Sequence, residues 1–170
     1  MRQFIFLAVS GLLLSLSSCC SYRTCDCFDE GENDVSFYFD SDSLNQGFRE
    51  AGLRGTYAVR YESASFATAL DTTYRQPGLR AYDSSFCEFY VRLNSLFPPR
   101  PGTAQPFTAY AYALVLPQTG RRYQITDIEL AGERRGNRCC TCYSNTRKRL
   151  RLDGQYIVAD GQLHPNVLKR

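Results

Sequence analysis

The stretch Arg147-Lys148-Arg149-Leu150-Arg151-Leu152-Asp153-Gly154-Gln155-Tyr156-Ile157-Val158-Ala159 decides the fold. Asp153-Gly154 is a two-residue turn signal of the kind that needs positive φ at both positions. Such a turn fixes the pairing of its strands. Leu152 then faces Gln155, Arg151 faces Tyr156, Leu150 faces Ile157 and Arg149 faces Val158. In that register Leu150, Leu152, Ile157 and Ala159 share one face. Arg147, Arg149, Arg151, Tyr156 and Val158 share the other. A slip of one residue would split the apolar set and turn arginines inward, where an unpartnered charge is costly. The stretch therefore predicts a hairpin lying on a core, arginines outward.

The same period of two recurs upstream. Val35-Ser36-Phe37-Tyr38-Phe39 puts Val35, Phe37 and Phe39 on one face. Gly55 to Tyr61 puts Tyr57, Val59 and Tyr61 on one side. Phe86 to Leu93 is the strongest central strand, with Cys87, Phe89, Val91 and Leu93 as its inward row. Tyr110 to Leu116 is apolar on both faces and belongs mid-sheet. Tyr123 to Leu130 sets Thr126, Ile128 and Leu130 against Asp127 and Glu129. Gly47 to Gly52 fits a short helix or a bent strand, and Ser63 to Ala69 a loop or an edge. Pro77-Gly78 and Pro117 to Gly120 mark turns. Pro98, Pro99, Pro101 and Pro106 mark a long crossing between two sheets. Gly132 to Asn145 is expected as a loop, and Gly161 to Arg170 as an irregular tail. The expected fold is all-β, a single antiparallel β-sandwich of about seven strands. The 12 Tyr and 11 Phe suit it, since both favour strands.

The chain opens with Arg2 and an apolar run from Phe4, closed by Leu16-Ser17-Ser18-Cys19. Phe4 to Leu16 is thirteen residues, short of the roughly 20 that span a bilayer. This is the layout of an export signal. Its end resembles the lipobox of bacterial lipoproteins. The resemblance implies that Cys19 carries diacylglycerol and begins the mature chain. An ordinary cleaved signal peptide is the alternative. Each buried methylene of an anchor contributes about 0.8 kcal/mol, so several acyl chains hold stably. The expected domains are a lipoprotein signal peptide (1–18), a tether (19–34), the β-sandwich (35–160) and the tail (161–170). The expected partner is the membrane through the N-terminal lipid, and the expected place is the cell envelope, at the outer membrane.

Charge is unevenly spread. Residues 19–100 hold 8 basic and 12 acidic groups, and residues 101–170 hold 11 and 5. Arg outnumbers Lys 18 to 2, and Arg is the better bidentate partner of carboxylate and phosphate. Nucleic acid is not an expected partner, because the chain is exported and its basic half carries no recognisable module.

Eight cysteines in an exported chain point to disulfides. Two clusters stand out, Cys25 with Cys27 and Cys139, Cys140 with Cys142. One or two disulfides between tether and loop are the leading expectation. A zinc site is the competitor, but Cys-x-Cys and Cys-Cys-x-Cys are poor ligand spacings. No metal and no cofactor is expected. Cys87 is expected as a buried free thiol.

The tether with Cys-x-Cys, the strand VSFYF, GF followed by GTYAVRY, and the closing CCTCYSNTRKRLRLDG are similar to small cell-envelope lipoproteins of the Bacteroidota. That resemblance implies a transthyretin-like or immunoglobulin-like sandwich. It also implies O-glycosylation at Asp42-Ser43-Leu44 and Asp71-Thr72-Thr73. The residues after Cys19, Cys20-Ser21-Tyr22-Arg23, do not match the acidic surface-export signal of such proteins.

No catalytic residue is expected. His164 is the only histidine, and a Ser-His-Asp or Cys-His arrangement on the core has nothing to build on. Arg134, Arg135, Arg138, Arg147, Arg149 and Arg151, with Tyr156, are candidate binding groups for an anionic glycan or an envelope protein. The competing expectation is a solvated sheet face. There Asp127 or Glu129 pairs across strands and Arg151 lies over Tyr156. The function expected first is a non-enzymatic lipid-anchored envelope protein with an accessory or structural role. A binding module through the arginine face comes second, and a small carboxylate-dependent hydrolase third.

Overall fold

The computed structural model describes Cys27 and residues 31–41, 47–74, 78–83, 86–137, 140–160 and 166–170; at 78–83, 86–88 and 137 it describes backbone alone. The signal segment with Cys19, the residues Cys25, Arg138, Cys139 and His164, the Asp42-Ser43-Leu44 site and the Cys87 side chain lie outside the described residues.

The described chain divides into two compact units. The larger is Asn33–Ala131 with Asn145–Arg170, and the smaller joins the described residues up to Glu32 with Gly132–Ser144. In chain order the elements are β1 (Ser36–Phe39), α1 (Glu50–Leu53), β2 (Tyr57–Tyr61), β3 (Ala69–Tyr74), β4 (Gly78–Asp83), β5 (Phe86–Arg92) and α2 (Leu93–Leu96). A 3-10 turn (Phe107–Ala109), β6 (Ala111–Leu116), β7 (Arg121–Asn137), β8 (Cys140–Leu152), β9 (Gln155–Val158) and β10 (Val167–Leu168) follow.

The strands form a four-stranded sheet, β10-β1-β5-β4, and a six-stranded sheet, β3-β2-β6-β7-β8-β9. Phe37, Phe39 and Val91 of the first share one buried cluster with Ala58, Leu114, Ile125 and Leu150 of the second. The fold is thus an all-β sandwich, with ten strands among the described residues where about seven were expected. The extra ones are mostly short or at edges, where alternation is weak. The proline-rich stretch after α2 carries the chain from β5 in one sheet to β6 in the other. β6 is central and buried on nearly every residue, as its two apolar faces predicted.

The hairpin has the expected register: Arg149↔Val158, Leu150↔Ile157, Arg151↔Tyr156 and Leu152↔Gln155. Asp153 and Gly154 have φ of 50° and 80°. Leu150 and Ala159 are fully buried, and Leu152 and Ile157 pack against the core.

Three expectations need correction. Among the described residues Gly132 to Asn145 is not a loop: β7 runs on to Asn137 and β8 starts at Cys140. The tail is not irregular throughout. Val167 and Leu168 pair in parallel with Tyr38 and Phe39. Asp40 N–H donates to Leu168 C=O at 2.9 Å, and Tyr38 N–H to Asn166 C=O at 2.9 Å. The tail thereby occupies backbone groups that β1 would otherwise leave bare at a sheet edge. The Tyr123 hydroxyl adds a bond to Lys169 C=O at 2.7 Å. Finally, β7 sets Ile128 and Leu130 inward against exposed Asp127 and Glu129 as expected, but it does not alternate uniformly from Tyr123 onward. Tyr123 and Ile125 are buried, then Ile128. The inward row changes from odd to even beside Asp127, whose φ is 50°. One left-handed residue in a strand shifts its phase, as a bulge does.

Candidate functional site

Asp71, Arg60 and Tyr112 stand side by side across β3, β2 and β6. All three lie on the row that points into the sandwich. Arg60 is only 4% exposed. A buried guanidinium is tolerated only where it is paired and its donors are used. Here Nε donates to Asp71 Oδ2 at 2.7 Å and Nη2 to the same oxygen at 2.5 Å. Nη1 donates to Pro98 C=O at 3.1 Å. The planar group lies between two rings, 5.3 Å from the centroid of Phe97 and 5.1 Å from that of Tyr110. Such contacts suit Arg better than Lys.

The surroundings are equally fixed. Tyr112 stacks on Phe107 at 4.7 Å and donates its hydroxyl to Phe107 C=O at 2.8 Å. Burial pushes the Tyr112 phenol well above its ordinary range, against the opposing pull of Arg60. Arg100 Nε lies 3.8 Å from Asp71 Oδ2 on the solvent side. Thr73 donates to Leu96 C=O at 3.2 Å, while Thr72 beside it is exposed. The cluster holds the proline-rich crossing onto β2 and β3. Its carboxylate oxygen is taken up by arginines and has no histidine, lysine or thiol beside it to exchange a proton with among the described residues. Sequence reading missed Arg60. Its only signals were an Arg in a strand flanked by apolar residues and an Asp eleven residues on.

The arginine row of β8 lies on the opposite, outer face, and the expected solvated pattern is what forms. Arg147 Nη1 is 4.0 Å from Glu129, Arg151 Nε is 3.1 Å from Asp127, and Arg149 Nη2 is 2.8 Å from Asp160. Arg151 also lies 5.9 Å over the Tyr156 ring. Asp160 accepts the Lys148 backbone N–H at 2.7 Å. The bond from Arg149, then that N–H, holds the Asp160 carboxyl below its usual range. The same bond to Asp160, joined by one with Tyr156, raises Arg149 further. Asp160 was not foreseen as a partner.

Arg134 and Arg135 are not in this unit. They belong to the smaller one, where both are exposed and Arg135 pairs with Glu133. Cys27 and Cys142 form a disulfide there, with Cα atoms 5.3 Å apart and a sequence separation of 115. Cys140 is disulfide-bonded as well. Two of the five predicted disulfide cysteines thus pair tether with β8, as expected. Gly136 has φ of 148°, and a Cβ there would run into Cys140 C=O and come within 2.9 Å of Thr141 Cα.

Among the described residues no three His, Cys, Asp or Glu side chains converge as a metal would need. None of their helices is long and apolar enough to cross a membrane. No protein-family model, curated protein or solved structure matches the chain.

Proposed function

We propose that the protein is a non-enzymatic lipoprotein of the cell envelope, of the small Bacteroidota type, anchored through Cys19 at the outer membrane and serving an accessory or structural role. The observation that carries this is the Cys27–Cys142 disulfide. Such a bond belongs to an oxidising compartment, beyond the cytoplasm. It also stands close to the anchor. Cys27 follows Cys19 by eight residues, so the staple lies within about 28 Å of the lipid at about 3.5 Å per residue. A staple so placed suits a domain held near a bilayer. The Arg60–Asp71 pair fits the same role, since its arrangement ties strands and a crossing together.

Metabolic labelling with radioactive palmitate tests the reading. The wild type should take up label and sediment with membranes, and Cys19→Ala should do neither. A Cys19→Ala protein that still takes up label and still sediments overturns the anchor. Crosslinking in cells then identifies its envelope neighbours. A binding module working through Arg147, Arg149 and Arg151 draws less support, because each of these already faces a carboxylate.

A further inference from the structure

The outer face of the six-stranded sheet carries a second feature, away from the β8 arginines. Tyr74, Tyr57, Val115 and Arg122 are register partners in one row across β3, β2, β6 and β7. Three strand spacings give this row a length of about 14 Å. Tyr74 is 75% exposed, the most exposed large hydrophobic side chain among the described residues. Its ring lies 5.3 Å from that of Tyr57, tilted by 42°. At the far end Arg122 lies 5.6 Å over the Tyr61 ring and 5.7 Å over that of Phe66. Its Nη2 donates to the Tyr61 hydroxyl at 3.1 Å.

Arg122 differs from its neighbours on this face in one respect. Arg147, Arg149 and Arg151 each meet a carboxylate. Among the described residues Arg122 meets none. Two rings and a hydroxyl hold it in place instead, so its charge is oriented before any partner arrives. Val59 and Ala113 form the next row, and both are buried although they face outward. The Tyr61 and Arg122 side chains reach toward each other over that row and roof it. The result is a surface with the tilted Tyr74 and Tyr57 rings at one end and, toward the other, a cation held over Tyr61 and Phe66 with no carboxylate beside it among the described residues.

We propose that this row binds an acidic polysaccharide, with sugar rings lying on Tyr74 and Tyr57 and a sugar carboxylate at Arg122. The flat aromatic faces match the apolar faces of pyranose rings. The oriented guanidinium supplies the charge complement, and a planar fork suits a carboxylate. The row ends at β3, an edge strand, so a polymer can continue past it. This goes beyond the envelope role and stands whether or not Cys19 is lipidated.

Affinity electrophoresis of the mature chain in gels cast with polygalacturonate tests it, with dextran as the neutral control. Polygalacturonate should retard the wild type and dextran should not. Arg122→Gln and Tyr74→Ser, both at exposed positions, should each weaken retardation about fivefold, on the scale of one lost contact. Arg147→Gln should match the wild type. Three results would overturn the proposal: no retardation by polygalacturonate, equal retardation by dextran, or full retardation of Arg122→Gln. Flotation with phosphatidylglycerol vesicles that depends on Arg122, without retention on polygalacturonate, would also overturn it, in favour of a membrane surface.

Discussion

Arg60 and Asp71 face each other across β2 and β3, and both Nε and Nη2 of the arginine converge on a single oxygen of Asp71. The two partners are unequally exposed: the arginine side chain is 5% exposed and the aspartate 37%. Water can compensate the aspartate if it is left alone. It cannot reach the arginine.

Asp71→Asn should therefore cost more than Arg60→Met. Removing one partner of a fully buried pair costs about 3–5 kcal/mol. Exposure of Asp71 screens the pair, so about 2–3 kcal/mol is expected for Asp71→Asn. Arg60→Met removes the buried charge together with its need for a partner and keeps an unbranched chain between the rings. Urea unfolding of both variants gives the order. Equal costs, or the reverse order, would mean that ring packing rather than charge governs the site.

The fate of Arg60 shows where the sequence stops being legible. Alternation along β2 was plain, and Tyr57, Val59 and Tyr61 do share a side. Hydrophobicity alone would turn that side inward. In the folded protein it is the outer face, and Ala58 with Arg60 point into the core. What decides is the cross-strand partner, Asp71, which no local pattern reveals. The hairpin at Asp153-Gly154 was legible because its turn carries its own register. The Gly132–Asn145 stretch was not, because glycines and arginines there interrupt the strand pattern that β7 and β8 keep in their backbone. The disulfide between clusters was legible in outline, but the pairing of Cys27 with Cys142 is set by the fold and not by any local pattern.

The Arg149–Asp160 pair should give stability a mild acid dependence. Arg149 lowers the folded-state Asp160 carboxyl below its unfolded value, which is about 3.9. A depressed carboxyl contributes above the unfolded value and ceases to contribute as pH falls through the folded one. Asp160→Asn should thus melt below the wild type at pH 7, with the gap closing below about pH 4. Melting curves from pH 7 down to pH 2 measure it. A gap that stays constant through that range would show that Asp160 acts through shape alone.

Reduction should destabilise the protein. Closing a loop of 115 residues contributes about 4.8 kcal/mol on the chain-entropy model. Because Cys140 is also disulfide-bonded, Cys27→Ser should lower the melting temperature less than full reduction of the wild type does. Melting with and without dithiothreitol compares them. Identical melting of oxidised and reduced wild type would show that the staple adds nothing to the fold.

The turn at Gly154 offers a test in which backbone conformation acts without crowding. A Cβ built there meets nothing within 4 Å, yet φ is 80°. A substitution consequently costs only what its side chain pays to enter the left-handed region. That is about 1–2 kcal/mol for most residues and less for Asn, whose short polar side chain tolerates it. Beside it, Asp153 N–H donates to Gln124 C=O at 2.8 Å, and Asp153 Oδ1 accepts the Gln124 N–H at 2.7 Å. The turn is thus bonded to β7 and cannot relax into another type without breaking both bonds. Gly154→Asn should stay near the wild type in thermal melting, and Gly154→Val should fall below it by about 1–2 kcal/mol, since β-branching adds to the strain. Asp153→Ala should lose about 1 kcal/mol through the orphaned Gln124 N–H. If Gly154→Val melts with Gly154→Asn, the turn has moved to a different conformation and the bonds to Gln124 do not hold it.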